Sequence, residues 1–177
     1  MPTRDTLVVF YSRTGHTRWL AHALAYELHA DLCELHEPRT RLGVFGYLRS
    51  AFEAGRGATG PLEPLEPEPT LYSRVVVGTP VWNASVSTPV RSFLSRYGPH
   101  LPELAFFLTE GGHGDARVFR QMEEASGHTP IATLALRADD VAHGVRPEAL
   151  GRFVDELKRT TPPRTPTPRE GPHAPGP

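Results

Sequence analysis

The stretch Leu7-Val8-Val9-Phe10-Tyr11-Ser12-Arg13-Thr14-Gly15-His16-Thr17 decides the fold. Leu7 to Phe10 is apolar at every position, which is how a strand reads when helices cover both faces of a parallel sheet. Ser12 to Thr17 is a polar turn with three hydroxyls and one glycine. Leu20, Ala23, Leu24 and Leu28 then share one helical stripe. Strand, short polar turn and amphipathic helix make the first half of a βαβ unit.

The pattern recurs downstream. Val75-Val76-Val77, Leu104-Ala105-Phe106-Phe107-Leu108 and Thr133-Leu134-Ala135-Leu136 are further continuous apolar runs. Asp31 to Leu35 is a weaker run, whose Asp31 and Glu34 suit an edge strand. Helical stripes lie between: Val90, Phe93 and Leu94 after Pro89, a favourable first-turn residue; Val118, Met122 and Ala125; and Leu150, Phe153, Val154 and Leu157. This alternation predicts an α/β doubly wound, three-layer sandwich around a five-stranded parallel sheet. An insert at 39–57 precedes the third strand, with Phe45, Leu48 and Phe52 on one helical face. It reads either as an ordinary helix packed on the sheet or as a lid, substrate wall or subunit contact built from Leu42, Val44, Phe45 and Tyr47.

The chain of 177 residues suits one domain with an appendage. Of its 19 prolines, seven fall between Pro162 and Pro177 in a stretch without apolar pattern, and four between Pro61 and Pro69. A domain over 1–160 and a disordered Pro-rich tail over 161–177 are therefore expected, with an extended linker before the third strand. A hydrophobic share of 38% excludes a wholly disordered chain. The balance of 19 Lys+Arg against 20 Asp+Glu disfavours nucleic acid and an anionic membrane as partners. Cys33 is the sole cysteine, which rules out intramolecular disulfides and cysteine-based zinc sites and makes a reducing cytoplasm the expected compartment. No metal site is expected. Leu7 to Tyr11 is too short an apolar run for a membrane span.

Ligands of such sheets bind beyond the carboxyl ends of the strands, where the strand order reverses. Ser12, Thr14 and Thr17 are hydroxyl donors suited to a phosphate, Gly15 lets backbone approach closely, and the helix that follows offers unsatisfied N–H groups and its dipole. Arg13 is a further phosphate candidate. The competing reading makes Ser12 and Thr14 an ordinary helix cap. The loop has neither GK[ST] nor GxGxxG, so it is not a Walker or Rossmann loop. A low-molecular-weight phosphatase needs a cysteine where Ser12 stands.

With two further loops the sequence resembles the flavodoxin family over roughly residues 6 to 158. The family's [ST]-x-T-G-x-T phosphate loop is met by Ser12, Thr14, Gly15 and Thr17, with His16 where Asn is frequent. Gly78-Thr79-Pro80-Val81-Trp82-Asn83-Ala84 is similar to the loop beside the isoalloxazine, with Ala84 where many relatives have Gly. Thr109-Glu110-Gly111-Gly112-His113-Gly114 is similar to the glycine-rich loop at the flavin's other edge. The resemblance implies a flavodoxin-like sheet of order 2-1-3-4-5 and a non-covalent FMN. Ser12, Arg13, Thr14, Gly15, His16 and Thr17 would hold its phosphate. Pro80, Val81, Trp82, Asn83, Thr109, Glu110, Gly111, Gly112, His113 and Gly114 would flank its ring, with backbone N–H groups of Val81, Trp82, Asn83, Gly111 and Gly112 facing the ring heteroatoms.

Three functions follow. The first is a small NAD(P)H-dependent oxidoreductase of quinone or flavin reductase type, with NADH or NADPH as donor and a small-molecule redox substrate; the open glycines at 111, 112 and 114 favour it. The second is a flavodoxin-type electron carrier with a redox protein partner, disfavoured because carriers of this kind are strongly acidic while residues 1–159 carry a net charge near -2. The third is a binding module that has lost its flavin. His16 and His113 are candidate proton donors or neutralisers of flavin charge. No catalytic residue is assigned, and a homodimer is left open.

Overall fold

The computed structural model describes residues 4–36, 62, 65–81, 83–112, 114–142 and 148–160. The insert at 39–57, Trp82, His113 and the segment 161–177 lie outside them.

Each apolar run forms a strand. β1 (Thr6–Phe10) lies between β2 (Asp31–Glu34) and β3 (Arg74–Pro80), and β4 (Leu104–Glu110) and β5 (Thr133–Arg137) follow. All pairs are parallel, and the order is β2-β1-β3-β4-β5. The order reverses between β1 and β3, as it must where one connection leads left and the next leads right. Every residue of β1 is buried, as are Arg74–Thr79 of β3 and Leu104–Thr109 of β4, whereas β2 and β5 are partly exposed edge strands.

The helices are α1 (His16–Leu28), α2 (Thr88–Tyr97), α3 (Asp115–Ser126), α4 (Ala138–Ala142) and α5 (Glu148–Arg159). Alternation along the strands separates two cores. Leu7, Val9, Val75, Val77, Phe106 and Leu108 meet Val90, Phe93 and Leu94 of α2 and Val118 and Met122 of α3. Val8, Phe10, Val76, Ala105 and Phe107 face the other way, onto Leu20, Ala21 and Leu24 of α1 and Phe153, Val154 and Leu157 of α5. Burying one such Leu, Val or Phe side chain is worth ~1.5–3 kcal/mol, so the two faces together anchor the sheet. The periodicity did not anticipate α4, because five residues, two of them aspartates, show no helical stripe.

Gly78 serves packing. In register it sits between Phe10 and Phe107, and a Cβ there would lie 2.0 Å from the Phe107 ring. The Phe107 ring occupies the space that a side chain at position 78 would need.

At the opposite, amino end of the sheet, Arg74 is buried with its side chain 4% exposed. Its Nε donates to Glu103 at 2.5 Å, Nη1 to the Leu157 carbonyl at 2.6 Å and Nη2 to the Thr160 carbonyl at 2.5 Å. The planar fork thus pairs a carboxylate and also caps the end of α5, a geometry that a lysine ammonium does not offer. On the β2 edge, the Tyr72 hydroxyl donates to Asp31 at 2.8 Å, and burial with this carboxylate pushes the phenol far above its ordinary range. Burial also pushes the Cys33 thiol up to about 11, as expected of a small apolar filler on β2.

Candidate functional site

The loops after β1, β3 and β4 meet at the carboxyl ends of three neighbouring strands. Three backbone and side-chain ties join them. Tyr11 N–H donates to the Gly78 carbonyl at 3.1 Å, Val81 N–H donates to the Thr109 carbonyl at 2.9 Å, and the Thr17 and Thr109 hydroxyls share a hydrogen bond of 2.8 Å. A Cβ added to Gly114 would come within 3.1 Å of the Ala84 Cβ, so the second and third loops also touch.

In the first loop, Gly15 is the N-cap residue of α1 and takes φ +97, a left-handed conformation that glycine adopts without steric penalty. The Ser12 Oγ accepts the N–H groups of Gly15 and Arg18, each at 3.2 Å. Ser12 therefore caps the helix from three residues upstream of the N-cap. Its oxygen sits where amides converge at the positive end of a helix dipole. The donor set fits an anionic oxygen group held by neutral donors. Thr14 is exposed, His16 is half-buried and Arg13 is exposed at the rim. Thr17 is different: at 1% exposure it points inward, and its hydroxyl bonds Thr109 beneath the loop.

Arg18 was not singled out in the sequence. Its guanidinium grips Glu34 at the end of β2 through Nε at 3.1 Å and Nη2 at 2.6 Å, which holds it above its ordinary range. This neighbouring cation is thus paired with a carboxylate.

In the second loop, Val81 N–H is taken by the β3–β4 ladder, so the ring donor expected from Val81 is committed to the sheet. Asn83 and Ala84 both adopt left-handed backbone, with φ +48 and +51. Left-handed backbone explains why glycine would be favoured at position 84; here alanine holds it at a cost of ~1–2 kcal/mol. Thr79 and Ser87 close the base of the loop: Ser87 N–H donates to the Thr79 Oγ1 at 3.1 Å, and that hydroxyl lies 3.0 Å from the Ser87 Oγ. Gln121 of α3 reaches across to the same loop, with its Oε1 3.1 Å from Val86 N and its Nε2 3.4 Å from the Ala84 carbonyl. Neither Ser87 nor Gln121 was legible in the sequence, since each acts only through a fold-dependent contact.

In the third loop, Glu110 is half-buried at the end of β4, Gly111 is exposed and Gly112 half-buried. Among the described residues, a Cβ at Gly111 or Gly112 would meet nothing within 4 Å. Gly114, at φ +128, is the N-cap residue of α3. The structure thus places the three expected loops at the carboxyl ends of β1, β3 and β4, tied to one another through Thr17 and Thr109, Val81 and Thr109, and Gly114 and Ala84.

No protein-family model matches the chain, and no curated protein matches it. Solved structures do. A flavoprotein from Lactobacillus acidophilus NCFM, solved in complex with FMN, is 23% identical over 80% of this chain and 98% of its own, with a TM-score of 0.62. The chain has the flavodoxin-like fold. A flavodoxin, WrbA-like protein from Agrobacterium tumefaciens shares that fold at 13% identity, over 89% of this chain and 99% of its own, with a TM-score of 0.51. A flavodoxin from the domain Archaea shares it at 15% identity, over 87% and 97%, with a TM-score of 0.50. Flavodoxin-like strand order, 2-1-3-4-5, is the order found here. Among the described residues, no helix is long and apolar enough to cross a membrane, and no group of three or more His, Cys, Asp or Glu is placed to hold a metal ion.

Proposed function

We propose that the chain is an FMN-dependent redox protein, and specifically a small NAD(P)H-dependent oxidoreductase of quinone or flavin reductase type. The observation that carries the FMN reading is the first loop, where the Ser12 Oγ draws two amides at the start of α1 beside the reversal of strand order. A phosphate oxygen suits that focus. The FMN-bound neighbour of the same fold adds support.

Bound FMN would supply the hydride- and electron-transfer chemistry, and the chain would supply position and electrostatics. Ser12, Thr14, Gly15 and the first amides of α1 hold the phosphate, with Arg13 and His16 at its rim. Pro80, Val81 and Asn83 line one side of the ring, and Thr109 to Gly112 with Gly114 line the other. Amides fixed in place by the ties between loops stabilise negative charge on the ring without reorganising. The space left at Gly111 and Gly112 among the described residues favours a small-molecule substrate approaching from that rim. Electron carriage to a protein partner is the competing use of the same cofactor.

The decisive experiment titrates FMN into the purified protein and follows flavin fluorescence, then adds NADH or NADPH anaerobically to the complex. Quenching followed by bleaching without a helper reductase is expected. Absence of quenching refutes FMN binding; quenching with bleaching only through a partner reductase replaces the enzyme by a carrier.

A further inference from the structure

The second loop carries backbone that is unfavourable by itself. Asn83 and Ala84 are consecutive non-glycine residues in the left-handed region. Such residues cost of order 1–3 kcal/mol each and persist only where the surroundings over-determine them. Within the loop, the Ser85 hydroxyl makes only a long hydrogen bond to the Asn83 carbonyl, at 3.4 Å. Gln121 of α3 reaches the Ala84 carbonyl at the same 3.4 Å and anchors the adjoining Val86 N–H more closely, at 3.1 Å.

Gln121 is half-buried on α3, 35 residues beyond Val86. Its Oε1 accepts two hydrogen bonds, from Val86 N–H at 3.1 Å and from Arg91 Nη2 at 3.2 Å, while its Nε2 donates to the Ala84 carbonyl at 3.4 Å. One end of the amide faces two donors and the other an acceptor, so only a primary amide in this orientation meets all three. Val86 is 5% exposed, and without Gln121 its N–H would be buried with no acceptor, a penalty of the kind that decides loop conformations. Gly114, the N-cap residue of the same helix, packs against Ala84, and a side chain there would crowd the methyl at 3.1 Å.

We propose that Gln121 is a positioning residue that holds Asn83–Ala84 in the left-handed conformation and so fixes the second loop against the third before any ligand arrives. The consequence for a ligand rests on the FMN reading: a loop already fixed loses less freedom on binding, so the clamp raises flavin affinity through preorganisation. Arg91 is oriented by the same oxygen and belongs to the clamp.

The test uses the full chain. Gln121→Met keeps side-chain length and removes all three hydrogen bonds. In the ligand-free protein, the Val86 amide should lose at least tenfold of its hydrogen-exchange protection, and the Ala84 carbon shifts should leave their left-handed values, while amides of β1 and β3 stay protected. With FMN, the variant should bind about tenfold more weakly. In an Ala84→Gly background, where left-handed backbone needs no clamp, the same substitution should weaken FMN less than threefold. Unchanged Val86 exchange and Ala84 shifts would overturn the proposal, as would an equal loss of FMN affinity in the two backgrounds. If the parent chain binds no FMN, the cofactor reading fails, and the exchange and shift measurements alone decide the clamp.

Discussion

The Thr17 and Thr109 hydroxyls lie 2.8 Å apart and buried, joining the first turn of α1 to the end of β4 across 92 residues of sequence. One hydroxyl donates and the other accepts. The pair ties the loop after β1 to the loop after β4.

Thr17→Val is expected to destabilise the protein by about 1–3 kcal/mol, because it leaves the Thr109 hydroxyl buried with its partner gone. Thr109→Val should act alike, and the double variant should recover most of the loss, since two apolar groups of similar shape replace both halves. Urea denaturation of the four proteins measures this. Additive losses would mean that the two residues act separately.

Thr14 lies outside that pair and is exposed, so Thr14→Val should leave stability within about 0.5 kcal/mol of the parent. If the first loop binds phosphate, the variant should weaken FMN severalfold and riboflavin hardly at all. Parallel titrations with the two flavins check it, and equal losses would remove Thr14 from the phosphate site.

Gly78→Ala places a methyl where the Phe107 ring now lies. Overpacking of this kind costs ~1–3 kcal/mol or more, because the ring must leave its rotamer or the strands must part. Adding Phe107→Leu should restore part of the stability. A lowered melting temperature for Gly78→Ala that recovers in the double variant is the expected result in thermal denaturation.

Cys33 should resist alkylation. Burial pushes its thiol up to about 11, so at pH 8 little thiolate is present and reagent access is blocked. Iodoacetamide should modify the folded protein at least tenfold more slowly than the urea-unfolded chain, as read by mass spectrometry. Equal rates would place Cys33 outside the core.

Much of the fold was legible because the central strands are buried on both faces. Leu7 to Phe10, Val75 to Val77 and Leu104 to Leu108 face two layers of helices, and a position that must be apolar on either side leaves an unbroken run. The order of strands and helices followed from those runs, and α4 escaped because five residues are too few for a period. The loops were legible as chemistry, through their hydroxyls and glycines, while the contacts that shape them were not. Nothing near Gln121 in the sequence points to Ala84, and nothing in Thr17 separates an inward hydroxyl from an outward one. Val81 was expected to offer its N–H to a ligand, but extension of the β3–β4 ladder by one residue claimed it. Arg74 carried no signal either: one arginine among 18 gains its role only from Glu103, Leu157 and Thr160 meeting at the foot of the sheet.

That foot has a practical use. Arg74 pins the Thr160 carbonyl at the amino end of β3, about 20 Å along the strand from Pro80 at ~3.3 Å per residue. Thr160 itself therefore lies at the pole opposite the three loops. A surface, tag or fused domain attached through it would leave those loops facing solution, and a tether of a few residues would present every copy in the same orientation.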